Sequence, residues 1–183
     1  MKSKSIKAVK SIKERIQDYF FENPTSRLRV RQIEKTLKLP LPSVIRYSKE
    51  LEKEGILKKT DISGVKFYSA DRSSKNFLIE KKQHNLKKLF ETDLVEHLIK
   101  KYNNPTMSVF GSFARGEDIE NSDIDLYVET QKKETFDLND FENKLNRKIQ
   151  VFNHRDIREI KNKELANNII NGNVLNGFLE VLK

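Results

Sequence analysis

The chain has 183 residues, 36% of them hydrophobic, enough for one ordinary domain or two small ones and too apolar for an intrinsically disordered segment. No run approaches the roughly 18–20 apolar residues that cross a bilayer, and the absence of cysteine excludes a disulfide framework, a thiolate zinc site and a cysteine nucleophile. The net charge of +9 is unevenly spread: residues 1–82 hold 21 Lys and Arg against 10 Asp and Glu, and residues 83–183 hold 15 against 17. Two units with different partners are therefore expected, and the basic one has a polyanion among its candidate partners. Lysine-rich helix faces that only keep the protein in solution account for the same charge, and composition alone does not decide between them. The basic start "MKSKSIKAVK" runs into an amphipathic segment with no apolar core or cleavage site of a leader, so a cytoplasmic protein with no membrane partner is expected.

In chain order, Ile6, Val9, Ile12, Ile16, Tyr19 and Phe20 recur at helical spacing and predict an amphipathic helix that ends before Pro24. "RVRQIEKTL" predicts a short second helix with Val30, Ile33 and Leu37 on one face. "KLPLP" interrupts it, Pro42 suits the first turn of a third helix, and Gly55 supplies its stop. There Val44, Leu51 and Tyr47 are read as facing inward. "ILKKT", "DISG" and "VKFYSA" read as a hairpin closed around Gly64.

This order over residues 1–72 resembles a winged helix-turn-helix domain with the hairpin as its wing. The resemblance implies that Ser43, Arg46, Lys49 and Lys53 of the third helix reach a DNA major groove and that Lys58, Lys59 and Lys66 meet phosphate. Winged helices also dock proteins or dimerise, and a homodimer stays open. Residues 73–103 carry Phe77, Leu78, Leu86, Leu89, Phe90, Leu94, Leu98 and Ile99. They are read as a helical connector of two helices meeting near Glu91–Asp93 and partly packed on the second domain.

"TMSVF" (106–110) and "DIDLYVE" (123–129) read as strands. On the latter Asp123 and Asp125 share a face, about 6.5–7 Å apart along the strand, so that their carboxylates can converge on one divalent cation. Between the strands, Gly111 permits close backbone approach, and Ser112 with the free amides of a helix start suits an anion. A phosphate seat beside a dicarboxylate is what metal-assisted phosphoryl or nucleotidyl transfer requires.

Gly111-Ser112, ten residues, then Asp123-Ile124-Asp125 resembles the signature of the polymerase-β-like nucleotidyltransferase superfamily. "GSFARGEDIENSDIDLYV" is most similar to its minimal, MNT-type branch. The helix "FDLNDFENKLNR", the strand "KIQVFN", the helix "RDIREIKNKELANNIING" and the closing "NVLNGFLEVL" agree with that pattern over 104–183. The expected fold is thus α+β or α/β: a winged helix-turn-helix, a helical connector, and a nucleotidyltransferase domain with a small mixed sheet.

The resemblance implies that Gly111 and Ser112 hold a nucleoside triphosphate, expected to be ATP, and that Asp123 and Asp125 ligate Mg²⁺ and are catalytic, with Arg115 and Ser122 as supporting phosphate contacts. It further implies transfer of a nucleoside monophosphate to a hydroxyl of a protein or RNA, and a HEPN-type toxin as a partner. The family usually carries a third carboxylate on the next strand. Here that position is read as Gln150, with Ile149 and Val151 facing the core, and Gln cannot accept a proton at neutral pH. Three accounts stay open. Two carboxylates suffice; Glu120, Asp118 or Asp156 stands in; or the domain only senses nucleotide, and the chain is a DNA-binding regulator. His84, His97 and His154 share no metal-ligand spacing.

Overall fold

The computed structural model describes residues 10–132 and 136–182, so the expectations for Ile6 and Val9 lie outside the described residues. The chain divides into two compact units, Met1–Phe77 and Leu78–Lys183.

In the first unit, α1 (Ile12–Glu22) starts with a reciprocal cap: Glu14 N donates to Ser11 Oγ, and Ser11 N donates to the Glu14 carboxylate. The buried stripe is Ile16, Phe20 and Phe21, and the helix stops at Asn23 before Pro24. α2 (Val30–Leu37) buries Ile33, and α3 (Leu41–Lys53) buries Val44, Ser48 and Leu51. Tyr47 is only half-buried, because its ring lies under the Arg46 guanidinium at the surface.

The hairpin strands β2 (Leu57–Ile62) and β3 (Val65–Ala70) pair antiparallel. The expected turn "DISG" shortens to Ser63-Gly64, both at positive φ, closed by Gly64 N donating to Asp61 Oδ1 at 2.8 Å. A two-residue strand β1 (Arg27–Leu28), absent from the expectation, pairs with β3 and completes a sheet of order β1-β3-β2.

Helices α4 (Lys75–Glu91) and α5 (Leu94–Tyr102) are separated by Thr92-Asp93, with Asp93 in the left-handed region at φ 61°. Leu89 of α4 and Leu94, Val95, Leu98 and Tyr102 of α5 belong to the core of the second unit, so the expected connector contributes core to that unit. Its sheet contains β4 (Met107–Phe110), β5 (Ile124–Glu129), β6 (Ile149–His154) and β7 (Asn173–Asn176), in the order β6-β5-β4-β7. The β4–β5 and β4–β7 pairs are antiparallel and the β5–β6 pair is parallel, a mixed sheet.

Two core clusters cover the two faces. Val109, Ile124, Leu126 and Val128 pack with α5 on one face; Phe110 and Tyr127 pack with Ile157, Ile160 and Ile169 on the other. A five-residue helix α6 (Gly111–Arg115) follows β4, and α7 (Asn139–Leu145) leads into β6.

Three expected boundaries change here. The helix expected over 136–147 is the shorter α7, because Asn139 N donates to Asp137 Oδ1 and the helix begins only after Leu138. The single helix expected over 155–172 is a 3-10 turn (Ile157–Glu159) followed by α8 (Lys163–Ile170). Asp156 caps the turn, and Asn162 restarts the chain by accepting from Glu164 N and Leu165 N. "NVLN" in the closing segment is β7. Among the described residues no helix is long and apolar enough to cross a membrane.

Candidate active site

Alternation along β5 determines where its carboxylates point. Ile124, Leu126 and Val128 are buried in the α5-side core, so Asp125 and Tyr127 lie on the opposite face. Tyr127 is buried there, while Asp125 is half-buried at the end of the strand and Asp123, just before it, is exposed. Asp125 stands between Phe110 of β4 and Gln150 of β6 in the register of the sheet.

The chain turns out of β4 at Gly111, φ +74°, and a Cβ built there would sit 2.4 Å from Asp125 Oδ2. Only glycine leaves that space. The Gly-Ser turn and the acid strand, ten residues apart in sequence, thus meet at the Asp125 carboxylate.

The electrostatics fit a cation. Burial, first, and the neighbouring Asp123 carboxylate, second, push the Asp125 carboxyl above its ordinary pKa, and the Arg115 guanidinium opposes them. A carboxylate crowded by burial and a neighbouring acid is relieved by a divalent ion, so the residues present fit Mg²⁺. Arg115 is exposed, and its Nε pairs with Glu117 Oε2 at 2.7 Å. Ser122 closes a turn: its N donates to Ile119 O at 3.0 Å, and its Oγ accepts from Ile119 N at 2.9 Å. Ser112 follows Gly111 in the first turn of α6, where backbone amides lack intrahelical partners.

Among the described residues, no third acid joins this pair. Gln150 is the register partner of Asp125, the position the sequence pointed to. Asp118, one of the candidate substitutes, is 1% exposed and ion-paired to Lys81 at 2.6 Å, which commits it elsewhere. Asp156 accepts from Arg158 N and Nε at the 3-10 turn. Glu120 is half-buried. Tyr127 donates its hydroxyl to Glu129 Oε1, and burial with the Glu129 charge pushes the phenol up, so it is no base at neutral pH. Among the described residues, no three His, Cys, Asp or Glu side chains are grouped to hold a metal. His154 stacks on Tyr127, and His97 packs on Phe141.

Sequence reasoning missed the environment of Asp118. Lys81 and Asn85, one turn apart on α4, are 1% and 4% exposed, and Arg147, just before β6, is 8% exposed. A signal existed: Lys81 and Asn85 continue the four-residue spacing that leads to buried Leu89, so polar side chains occupy an apolar stripe.

In the first unit the expected nucleic-acid residues divide by element. Arg46, Lys49 and Lys53 are exposed on α3 with Ser43 half-buried, and Lys58, Lys59 and Lys66 are exposed on the hairpin. Arg46 lies near Glu50 (3.9 Å) and Lys59 near Glu52 (3.5 Å), surface pairs of little strength. A groove of about 570 Å³ beside the hairpin turn is lined by Arg29, Arg31, Gln32 and Lys66.

No curated protein and no solved structure gives a match to this chain. Residues 92–176 match the family model described as polymerase beta, nucleotidyltransferase. That stretch runs from α5 through β7 and contains Gly111, Ser112, Asp123 and Asp125. The match supports a polymerase-β-like nucleotidyltransferase domain in the second unit.

Proposed function

We propose that the second unit is an Mg²⁺-dependent nucleotidyltransferase of the minimal, MNT type, moving AMP from ATP to a hydroxyl of a protein or RNA with release of pyrophosphate. The observation that carries this reading is the contact geometry at Gly111, whose missing Cβ lets the Asp125 carboxylate lie against the turn that opens α6.

In this reading Asp123 and Asp125 hold the ion, and Gly111 and Ser112 present backbone amides and a hydroxyl to the triphosphate. Mg²⁺, when bound, supplies positive charge to the phosphate oxygens and relieves the repulsion between the two acids. Arg115, whose charge reaches Asp125, would contact phosphate on exchanging its Glu117 partner. Ser122 still has a hydroxyl proton to donate while its oxygen holds the turn. With Gln150 opposite Asp125, placement and electrostatic stabilisation carry the rate, not proton abstraction.

The first unit, read as a winged helix-turn-helix, brings nucleic acid through α3 and the hairpin. A HEPN-type partner is the protein acceptor that the MNT resemblance implies. Incubation with labelled ATP and Mg²⁺, with and without candidate protein or RNA, tests the proposal. Transfer should require both acids, and an Asp123→Asn/Asp125→Asn variant that transfers label normally would refute the site.

One observation favours a second reading. The neutral Gln150 beside Asp125 suits a domain that holds nucleotide without turnover, in a DNA-binding regulator. Nucleotide binding with no transfer to any acceptor, together with salt-dependent DNA binding, distinguishes it.

A further inference from the structure

Lys81, Asn85, Asp118 and Arg147 form a buried polar cluster that the chemistry above leaves unused. Lys81 Nζ lies 2.6 Å from Asp118 Oδ1, and Arg147 Nη2 lies 3.6 Å from Asp118 Oδ2. Asn85 Nδ2 donates both to Asp118 Oδ1 at 2.8 Å and to Phe113 O at 2.9 Å. A buried charge cluster of this kind is poor at adding stability, since apolar side chains of similar volume commonly do as well or better. Its value is more directional than energetic.

Every tie points at the segment joining the two halves of the site. Phe113 follows Ser112, and Asp118 stands five residues before Asp123. Between them, the backbone at Gly116 lies so close to α4 that a Cβ there would meet Leu78 O at 2.5 Å and Lys82 N at 2.9 Å. From the other side, Arg147 precedes Lys148, whose carbonyl accepts from Ile124 N at 2.8 Å, the residue between the two acids. The segment 113–118 is thus tied to α4, and through Arg147 to the start of β6.

We propose that Lys81, Asn85, Asp118 and Arg147 are positioning residues that set the spacing between the Gly111-Ser112 turn and the Asp123/Asp125 pair. This rests on the nucleotidyl-transfer reading of that site.

Two variants test it. Asp118→Glu keeps the charge compensation and lengthens the arm by one methylene, and Lys81→Met/Asp118→Leu/Arg147→Met removes the cluster while keeping its volume. For both, melting temperature, kcat, KM for ATP and the affinity for Mn²⁺ alone are measured. The apolar triple variant should melt at or above the native temperature. Both variants should lose kcat by about 10- to 100-fold, the usual cost of a displacement near 1 Å, with KM changed far less and Mn²⁺ bound more weakly. A folded triple variant with native kcat overturns the proposal; if it does not fold, native kcat and Mn²⁺ affinity in Asp118→Glu overturn it equally. Normal transfer by Asp123→Asn/Asp125→Asn defeats the transferase site instead, and the positioning role of the cluster is then decided by Mn²⁺ affinity in Asp118→Glu, a native value counting against it.

Discussion

Replacing Gly111 by alanine probes the contact on which the proposed chemistry depends. The new Cβ would lie 2.4 Å from Asp125 Oδ2, where van der Waals contact begins near 3.4 Å, so something must shift by about 1 Å. Asp125 sits on a central strand held on both sides, so its side chain and the turn have to share that shift. The backbone adds a second penalty, since a left-handed φ of +74° costs a residue with a Cβ about 1–2 kcal/mol. For a unit of this size each kcal/mol lowers Tm by about 4–8 °C.

A 1 Å error at a reacting centre costs about 100-fold in rate. The expected result is therefore a folded protein, destabilised by several degrees, whose transfer of labelled AMP falls about 100-fold. Circular-dichroism melts and initial rates at saturating Mg²⁺ measure both. A Gly111→Ala variant with native rate would show that the turn and Asp125 do not act together, and native Tm as well would refute the contact itself.

Asp125 gives a pH dependence of defined sign. Its carboxyl is raised in the folded state, so between the ordinary carboxylate value and the raised one the folded chain binds more protons than the unfolded chain. Stability should therefore fall as pH rises through that window. Asp125→Asn should accordingly raise Tm at pH 7 in EDTA, with the gain vanishing below the ordinary carboxylate range; an equal gain at all pH values would contradict this. Gln150→Glu should raise kcat at neutral pH by at least about 10-fold if a base is what the site lacks, and an unchanged pH–rate profile would mean proton removal is not limiting. In gel shifts over a salt series, Lys58→Ala and Lys66→Ala should each reduce the slope by about one phosphate contact; salt-independent binding would point to protein docking by the first unit.

Much of the candidate site's geometry could be read from the chain because its signals are local. Alternation around "DIDLYVE" gives the face of each acid, and Gly111 marks a turn that a Cβ would obstruct. The register partner of Asp125 followed from counting along "KIQVFN". What escaped depends on partners distant in sequence. β1 is two residues long and exists through β3, and β7 carries asparagine at both ends and is a strand through its pairing with β4. The break after the 3-10 turn comes from side-chain caps at Asp156 and Asn162 inside an otherwise helical pattern. The Asp118 cluster unites side chains from three parts of the chain; periodicity places Lys81 on a buried stripe but does not forecast that its partner is an acid 37 positions away.

The parallel pairing of β5 with β6 has a consequence for variation. Because β6 runs parallel to β5, the chain returns to the same end of the sheet by way of α7, on a stretch separate from the one bearing both aspartates. The residue opposite Asp125 can therefore be exchanged without altering the stretch that carries Gly111, Ser112 and the acid pair. Under the proposed reading, position 150 is where a transferring domain and one that holds nucleotide without turnover would differ by a single side chain.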